Sequence, residues 1–324
     1  MNFRQLIFWI VLILFSTIDG FSQAIPQTEI TNGLIKARIY LPDIEKGYYR
    51  ATRFDWSGVM PNLEHDGHSY FGKWFKNYDP LVHESVMGPV EEFMPIGYDE
   101  AAVGDSFLKI GVGTLVKPEE SKYNKFKLYK IENHGKWEVS ERPDKVEFKH
   151  SLNGPEYSYE YVKLIHLPKG KSEMVLNHKF TNTGKMPLET QVYNHNFFLI
   201  DSLKIGPGYV VKLPYDIQTE GRLKGIGKFA EIDKNEIRFI ENLQEGNQVY
   251  IEFIRGHSKE SKTYTIHIEN RKTRAGVKIH SNRPLSKLAF WSAYKTICPE
   301  PFIRIKAAPG ETFTWKTTYT FYSF

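Results

Sequence analysis

The sequence predicts an all-β protein built on large antiparallel sheets. Three observations carry this. From residue 107 onward, short runs rich in β-branched and aromatic residues follow one another, separated by turns rich in Gly, Pro, Asn or Lys. No stretch shows helical periodicity over a convincing length. Hydrophobic residues make up 41% of the chain and aromatics 15%, enough for a large core, while the single cysteine, Cys298, excludes an internal disulfide framework. No tandem repeat is visible, which argues against a propeller. No linker or shift in composition divides the chain, so residues 25–324 are expected to form a single β-sandwich domain.

Residues 1–24 read as a secretory signal peptide. Met1-Asn2-Phe3-Arg4 is a short basic start, Leu6 to Phe15 is apolar, and Ser22-Gln23-Ala24 offers small residues for cleavage. The apolar run falls short of the roughly 20 residues of a membrane span, and no later segment is long and apolar enough. A secreted or periplasmic protein with no membrane span in its mature chain is therefore expected. Thr28 to Leu41 reads as a hairpin about an Asn32-Gly33 turn. In Lys46 to Gly58, alternation would put Arg53 and Asp55 on one strand face and Phe54 and Trp56 on the other. Residues 61–99 have weak periodicity and many aromatic and ionisable side chains, as a loop lining a site would. Strands are then expected at Phe107–Val116, Phe126–Ile131, Lys136–Ser140, Lys145–His150, Tyr157–Leu167, Ser172–Thr181 and Glu189–Ile200. Further strands follow at Tyr209–Leu213, Ile237–Phe239, Val249–Ile254, Tyr264–Ile268, Gly276–His280, Leu285–Trp291, Phe302–Ile305 and Thr312–Phe321.

The formal net charge of +5 is modest, and Lys and Arg are scattered, which argues against a nucleic-acid partner. A small sugar or oligosaccharide is left open as a ligand, an acidic sugar or polysaccharide included, and the high aromatic share matters because sugar rings pack their C–H faces on aromatic faces. No phosphate loop, His-Glu-x-x-His or Gly-x-Ser-x-Gly motif is present. His65, Asp66, His68, His83 and Glu84 could be drawn together as ligands, but their spacing fits no compact zinc pattern, so no metal site is expected. Cys298 reads as a buried structural thiol.

Two stretches carry chemistry. In Tyr193-Asn194-His195-Asn196-Phe197, alternation puts Tyr193, His195 and Phe197 on one sheet face, where an imidazole can transfer protons near neutral pH; a core histidine bonded to the backbone is the alternative. In Cys298-Pro299-Glu300-Pro301, two prolines fix a carboxylate in what reads as a rigid extended turn after a strand ending near Tyr294. His195 and Glu300 are the candidate catalytic pair. Arg53, Asp55, His83, Glu91, Glu92, Asn194 and Trp291 are candidate substrate-binding residues.

The chain resembles the aldose 1-epimerase (galactose mutarotase-like) family. Asn194-His195-Asn196-Phe197-Phe198 is similar to its Asn-His-Ser-Tyr-Phe segment, and Ile297-Cys298-Pro299-Glu300-Pro301 to its Cys-x-Glu-Pro segment. Ala308-Pro309-Gly310-Glu311 and the aromatic strand after it resemble its closing strands. The resemblance covers roughly residues 155–324. It implies a β-supersandwich, no cofactor, His195 as general acid and Glu300 as general base. Before residue 155 the chain departs: the family's Asn-x-x-His-Gly and Gly-Arg-x-x-Asn-Arg segments are absent, with His83, Glu84, Glu91 and Glu92 near the place of the first and Arg50 or Arg53 in lieu of the second. The expected function is interconversion of sugar anomers by acid–base ring opening. The rivals are a non-catalytic carbohydrate-binding protein on the same fold and, further off, a polysaccharide lyase or hydrolase.

Overall fold

The computed structural model describes residues 24–258 and 260–324. The expected signal peptide therefore lies outside the described residues, apart from Ala24. The first hairpin pairs β1 (Gln27–Thr31) with β2 (Ile35–Tyr40). Its turn needs Gly33 at φ +87°, a conformation glycine adopts at no steric cost. β3 (Asn62–His65) and β4 (His68–Ser69) extend this into a four-stranded sheet. The Arg53–Asp55 segment is not a strand but a run of bends, so the expected sharing of faces does not arise. β5 (Gly88–Phe93) follows.

The expected continuous strand over Phe107–Val116 is a hairpin: β6 (Ser106–Lys109) turns back into β7 (Gly113–Val116). Gly111 at φ +75° and Gly113 at φ +136° make the reversal. Phe126–Lys130 is irregular rather than strand, and only β8 (Ile131–Asn133) forms there. Then come β9 (Lys136–Arg142), β10 (Lys145–Leu152), β11 (Tyr159–His166), β12 (Glu173–Asn182) and β13 (Leu188–Phe197). A single 3-10 turn, Ile200–Ser202, follows. β14 (Tyr209–Lys212), β15 (Gln218–Lys224), β16 (Ala230–Asp233), β17 (Glu236–Phe239) and β18 (Gln248–Arg255) are next. The chain closes with β19 (Tyr264–Asn270), β20 (Ala275–Ser281), β21 (Lys287–Ala293), β22 (Thr296–Ala307) and β23 (Thr312–Ser323).

Two large antiparallel sheets dominate. One has ten strands in the order β16-β17-β14-β19-β20-β23-β12-β11-β10-β9; the other has six, β15-β18-β21-β22-β13-β5. They face each other across the main core: Phe93 of β5 meets Tyr161 of β11 and Trp315 of β23 edge-on at 5.4 and 6.3 Å. Strand alternation makes this work. In β11 every second residue, from Tyr159 to Ile165, is fully buried while those between are half-buried. No helix among the described residues is long and apolar enough to cross a membrane.

A polar knot lies buried between the sheets. Lys163 of β11 bonds Glu91 of β5 and donates to the Ser57 carbonyl at 3.0 Å, and its ammonium is 4.0 Å from Asp55. Asp55 also accepts from Ser57 Oγ at 2.6 Å, and Asn194 donates to Glu91 at 2.8 Å. His178 sits 3.5 Å from Glu91 and is held neutral, burial and then Lys163 pushing it well below the usual histidine range. Buried charges this far from water need such pairing.

Candidate active site

The outer face of the six-stranded sheet forms the floor of a cavity of about 670 Å³. Its geometry follows from register. Tyr193 of β13 pairs with Phe302 of β22, and a bridge joins Phe198 to Ile297. The same register between these points sets His195 directly opposite Glu300. Across the sheet, the outward side chains fall into three parallel rows, about 7 Å apart along the strands. The first row runs Lys287, Phe302, Tyr193, Glu92; the second Ala289, Glu300, His195, Val90; the third Tyr250, Trp291, Cys298, Phe197.

The prolines have a role that the sequence reading did not foresee. Cys298-Pro299-Glu300-Pro301 is not a turn but the middle of β22, twelve residues long. Ile297 directs its N–H and carbonyl at β13, so Pro299 and Pro301, two and four residues on, face β13 where their missing donors open the ladder. Asn196 patches the gap: its amide donates to the carbonyls of Pro299 (2.9 Å) and Asn194 (3.1 Å), while its oxygen accepts from Tyr319 at 2.8 Å.

His195 Nε2 lies 3.2 Å from Glu300 Oε1, with both side chains more than nine-tenths buried. The imidazole stacks on Phe197 at 4.0 Å and meets Phe54 and Trp291 edge-on at 5.7 and 5.6 Å. Its Nδ1 has no hydrogen-bond partner among the described residues. Burial raises the Glu300 carboxyl to about 7, against the pull of Lys125 and Arg53. Burial, then Arg53 and Lys125, drives His195 well below the usual histidine range. Both shifts disfavour the ion pair: the imidazole is neutral, and below about pH 7 the proton that the pair holds sits on Glu300. The resemblance implied a protonated His195; here that form arises only by moving the proton along the 3.2 Å contact.

Arg53 closes one side. Its Nε donates to Glu92 at 2.7 Å, its Nη2 to Tyr193 at 3.2 Å, and its guanidinium lies 4.4 Å over Phe54. Burial works against the Glu92 charge, but Arg53, Lys125, Lys109 and Tyr193 hold its carboxyl down at about 2. His83 and Glu84, 3.7 Å apart, line the rim, and Trp74 stacks on Phe197 at 5.1 Å.

Of the expected binding residues, Arg53, His83 and Trp291 line the cavity, and Glu92 lies just beneath, anchoring Arg53. Asp55, Glu91 and Asn194 do not line it. Successive strand residues point to opposite faces, so Glu91 and Asn194 turn inward, into the buried knot with Asp55. Burial raises Asp55 to about 7, with Lys163 opposing. Sequence reasoning missed Lys125, Arg222, Tyr250, Lys287 and Phe302, which also line the cavity. Phe302 and Lys287 follow from the register once the strands are paired; Lys125 sits in an irregular loop and carries no sequence signal. Cys298 is fully buried against Thr296, and burial pushes its thiol up. Among the described residues, no group of three or more His, Cys, Asp or Glu is arranged to hold a metal ion; His68 pairs instead with Asp201 at 3.0 Å.

No protein-family model matches the chain, and no curated protein does. Solved structures do. An aldose epimerase homologue from C. elegans superposes with a TM-score of 0.53 at 14% identity, covering 93% of this chain and 99% of its own. The chain has the galactose mutarotase-like fold. A galactose mutarotase related enzyme from Lactobacillus acidophilus gives 0.52 at 12% identity, covering 92% and 97%. A galactose mutarotase-like protein from Clostridium acetobutylicum gives 0.51 at 12%, covering 93% and 99%. Within this fold, the cavity of the present chain lies on the outer face of the six-stranded sheet, away from the interface with the ten-stranded one.

Proposed function

We propose that the cavity binds an aldose and interconverts its anomers, with His195 and Glu300 as the proton-transfer pair. The observation that carries this is the buried 3.2 Å contact between them on a cavity floor walled by aromatic rings. The ring oxygen and the anomeric hydroxyl of an aldose share one carbon, so two adjacent groups can serve both. The pair holds one proton. One member gives it to the ring oxygen while the other takes the hydroxyl proton; the C1–O5 bond breaks and C1=O1 forms. Rotation about C1–C2 turns the aldehyde, and closure returns the proton to the pair. Two such groups contribute roughly 10²–10⁴-fold each. Export of the protein, expected from residues 1–24, would put this activity outside the cytoplasm.

Magnetisation exchange between anomeric proton signals, across a panel of neutral and acidic monosaccharides, tests this. Exchange faster than in buffer for at least one sugar, lost in Glu300→Gln, is expected. Binding with exchange at the buffer rate would instead support a non-catalytic carbohydrate-binding protein, and release of product from a polymer a lyase or hydrolase.

A further inference from the structure

We propose that the ligand of this cavity is an anionic sugar, whose carboxylate or sulfate lies between Lys125 and Lys287. This rests on the reading that a sugar occupies the cavity, and it names the class of sugar.

The three rows of the floor differ in character. The aromatic row of Tyr250, Trp291 and Phe197 lies on one side of His195 and Glu300. On the other side, Tyr193 and Phe302 stack at 4.1 Å, and two ammonium groups hang over them. Lys125 Nζ is 5.9 Å from the Tyr193 ring centre, and Lys287 Nζ is 5.2 Å from that of Phe302. Both line the cavity, and among the described residues neither has a carboxylate within 4.0 Å. The contrast with Arg53 in the same wall is informative. Arg53 is neutralised by Glu92 at 2.7 Å, so its charge is spent inside the protein. Lys125 and Lys287 are left to face the cavity.

Lys287 also bears a cost that a ligand would relieve. Its half-buried ammonium is depressed below the usual lysine range by lost hydration, with Glu252 and Glu300 acting against that from beyond ion-pair distance. Glu300, the one acidic group of the floor's middle row, is itself half-protonated near pH 7. The Lys287 end of the first row, with Lys125 above it, is thus a cationic pocket two residues along the strands from the acid–base pair, about 7 Å away, while Glu92 at the other end is paired with Arg53. A pyranose lying across this step would put its anomeric carbon over the pair and the charged group of its exocyclic carbon towards the two ammonium groups. Charge complementarity of this kind selects ligands and speeds their capture.

The experiment is calorimetric binding to the full chain at low salt, with sodium D-galacturonate, D-galactose 6-sulfate and D-galactose as probes. Galacturonate or the sulfate should bind at least tenfold tighter than galactose, and the preference should shrink with added salt. The two anions distinguish a carboxylate from a sulfate ligand. In Lys125→Met/Lys287→Met, which keeps the apolar stems, the anion-to-neutral affinity ratio should fall at least tenfold. Equal affinities, a preference for galactose, no binding of either anion, or a preference surviving in the double variant would overturn the proposal. Anomer exchange measured on the same samples separates the two claims. Anion preference without exchange refutes the epimerase and leaves this inference standing; exchange without anion preference does the reverse.

Discussion

Replacing Glu300 with Gln should change not only turnover but the pH dependence of stability, by an amount the structure sets. Burial raises the Glu300 carboxyl from 4.5 to about 7 in the folded protein. At 1.36 kcal/mol per pH unit, that is a differential free energy of about 3 kcal/mol. The sign follows from proton counting. Below pH 4.5 the carboxyl is protonated in both states, and burial costs no charge. Between 4.5 and 7 the unfolded chain ionises while the folded one holds its proton, so stability is lost as pH rises. Above 7 the loss is complete. Gln carries no such proton, and the titration of His195, present in both proteins, cancels to first order in their difference. Urea unfolding of both proteins at pH 4, 6 and 8 measures this. The stability of Glu300→Gln minus that of the wild type should grow with pH, by about 3 kcal/mol from 4 to 8. A difference that stays flat, or falls towards alkaline pH, would mean that Glu300 is ionised in the free protein and that the resting proton does not lie on it.

The buried knot gives a second expectation. Lys163→Met leaves Glu91 and Asp55 without their cation and should cost about 3–5 kcal/mol, read as a lower urea midpoint. Gly111→Ala should also destabilise, because its Cβ would stand 2.5 Å from Asp55 Oδ1 at a φ of +75°; a melting temperature equal to the wild type's would contradict this. Trp291→Ala removes an aromatic wall of the cavity and should weaken sugar binding about tenfold, with a smaller change in melting temperature than Lys163→Met. Anomer exchange should fall as pH rises through about 7, when the pair loses its one proton; a rate still rising at pH 9 would exclude Glu300 as its holder.

Most strands from β9 onward were legible because side chains alternate between core and solvent, as Tyr159, Tyr161 and Ile165 show in β11. β15 and β16 were not: all seven residues of β15 are exposed, so no alternation marks it, and β16 is only four residues long with a single buried one. β22 was misread at its centre because proline normally ends a ladder, whereas here the lost donors face a gap that Asn196 fills. The catalytic candidates stood out because polar groups interrupt apolar strands there. The binding residues were harder. Glu91 and Glu92 are neighbours on one strand, and alternation allows only one of them to face the cavity; burial chemistry, invisible in sequence, makes Glu91 and Asp55 the partners of Lys163. Lys125 and Lys287 meet only in three dimensions, across the stacked Tyr193 and Phe302.

The most direct test of the account compares anomer exchange in the wild type, His195→Ala, Glu300→Gln and the double variant, using the sugar that exchanges fastest. Groups that share one proton act as a unit, so each single variant should fall to the same residual rate as the double. Full acceleration in either single variant, or losses that multiply independently in the double, would contradict a paired acid and base at this site.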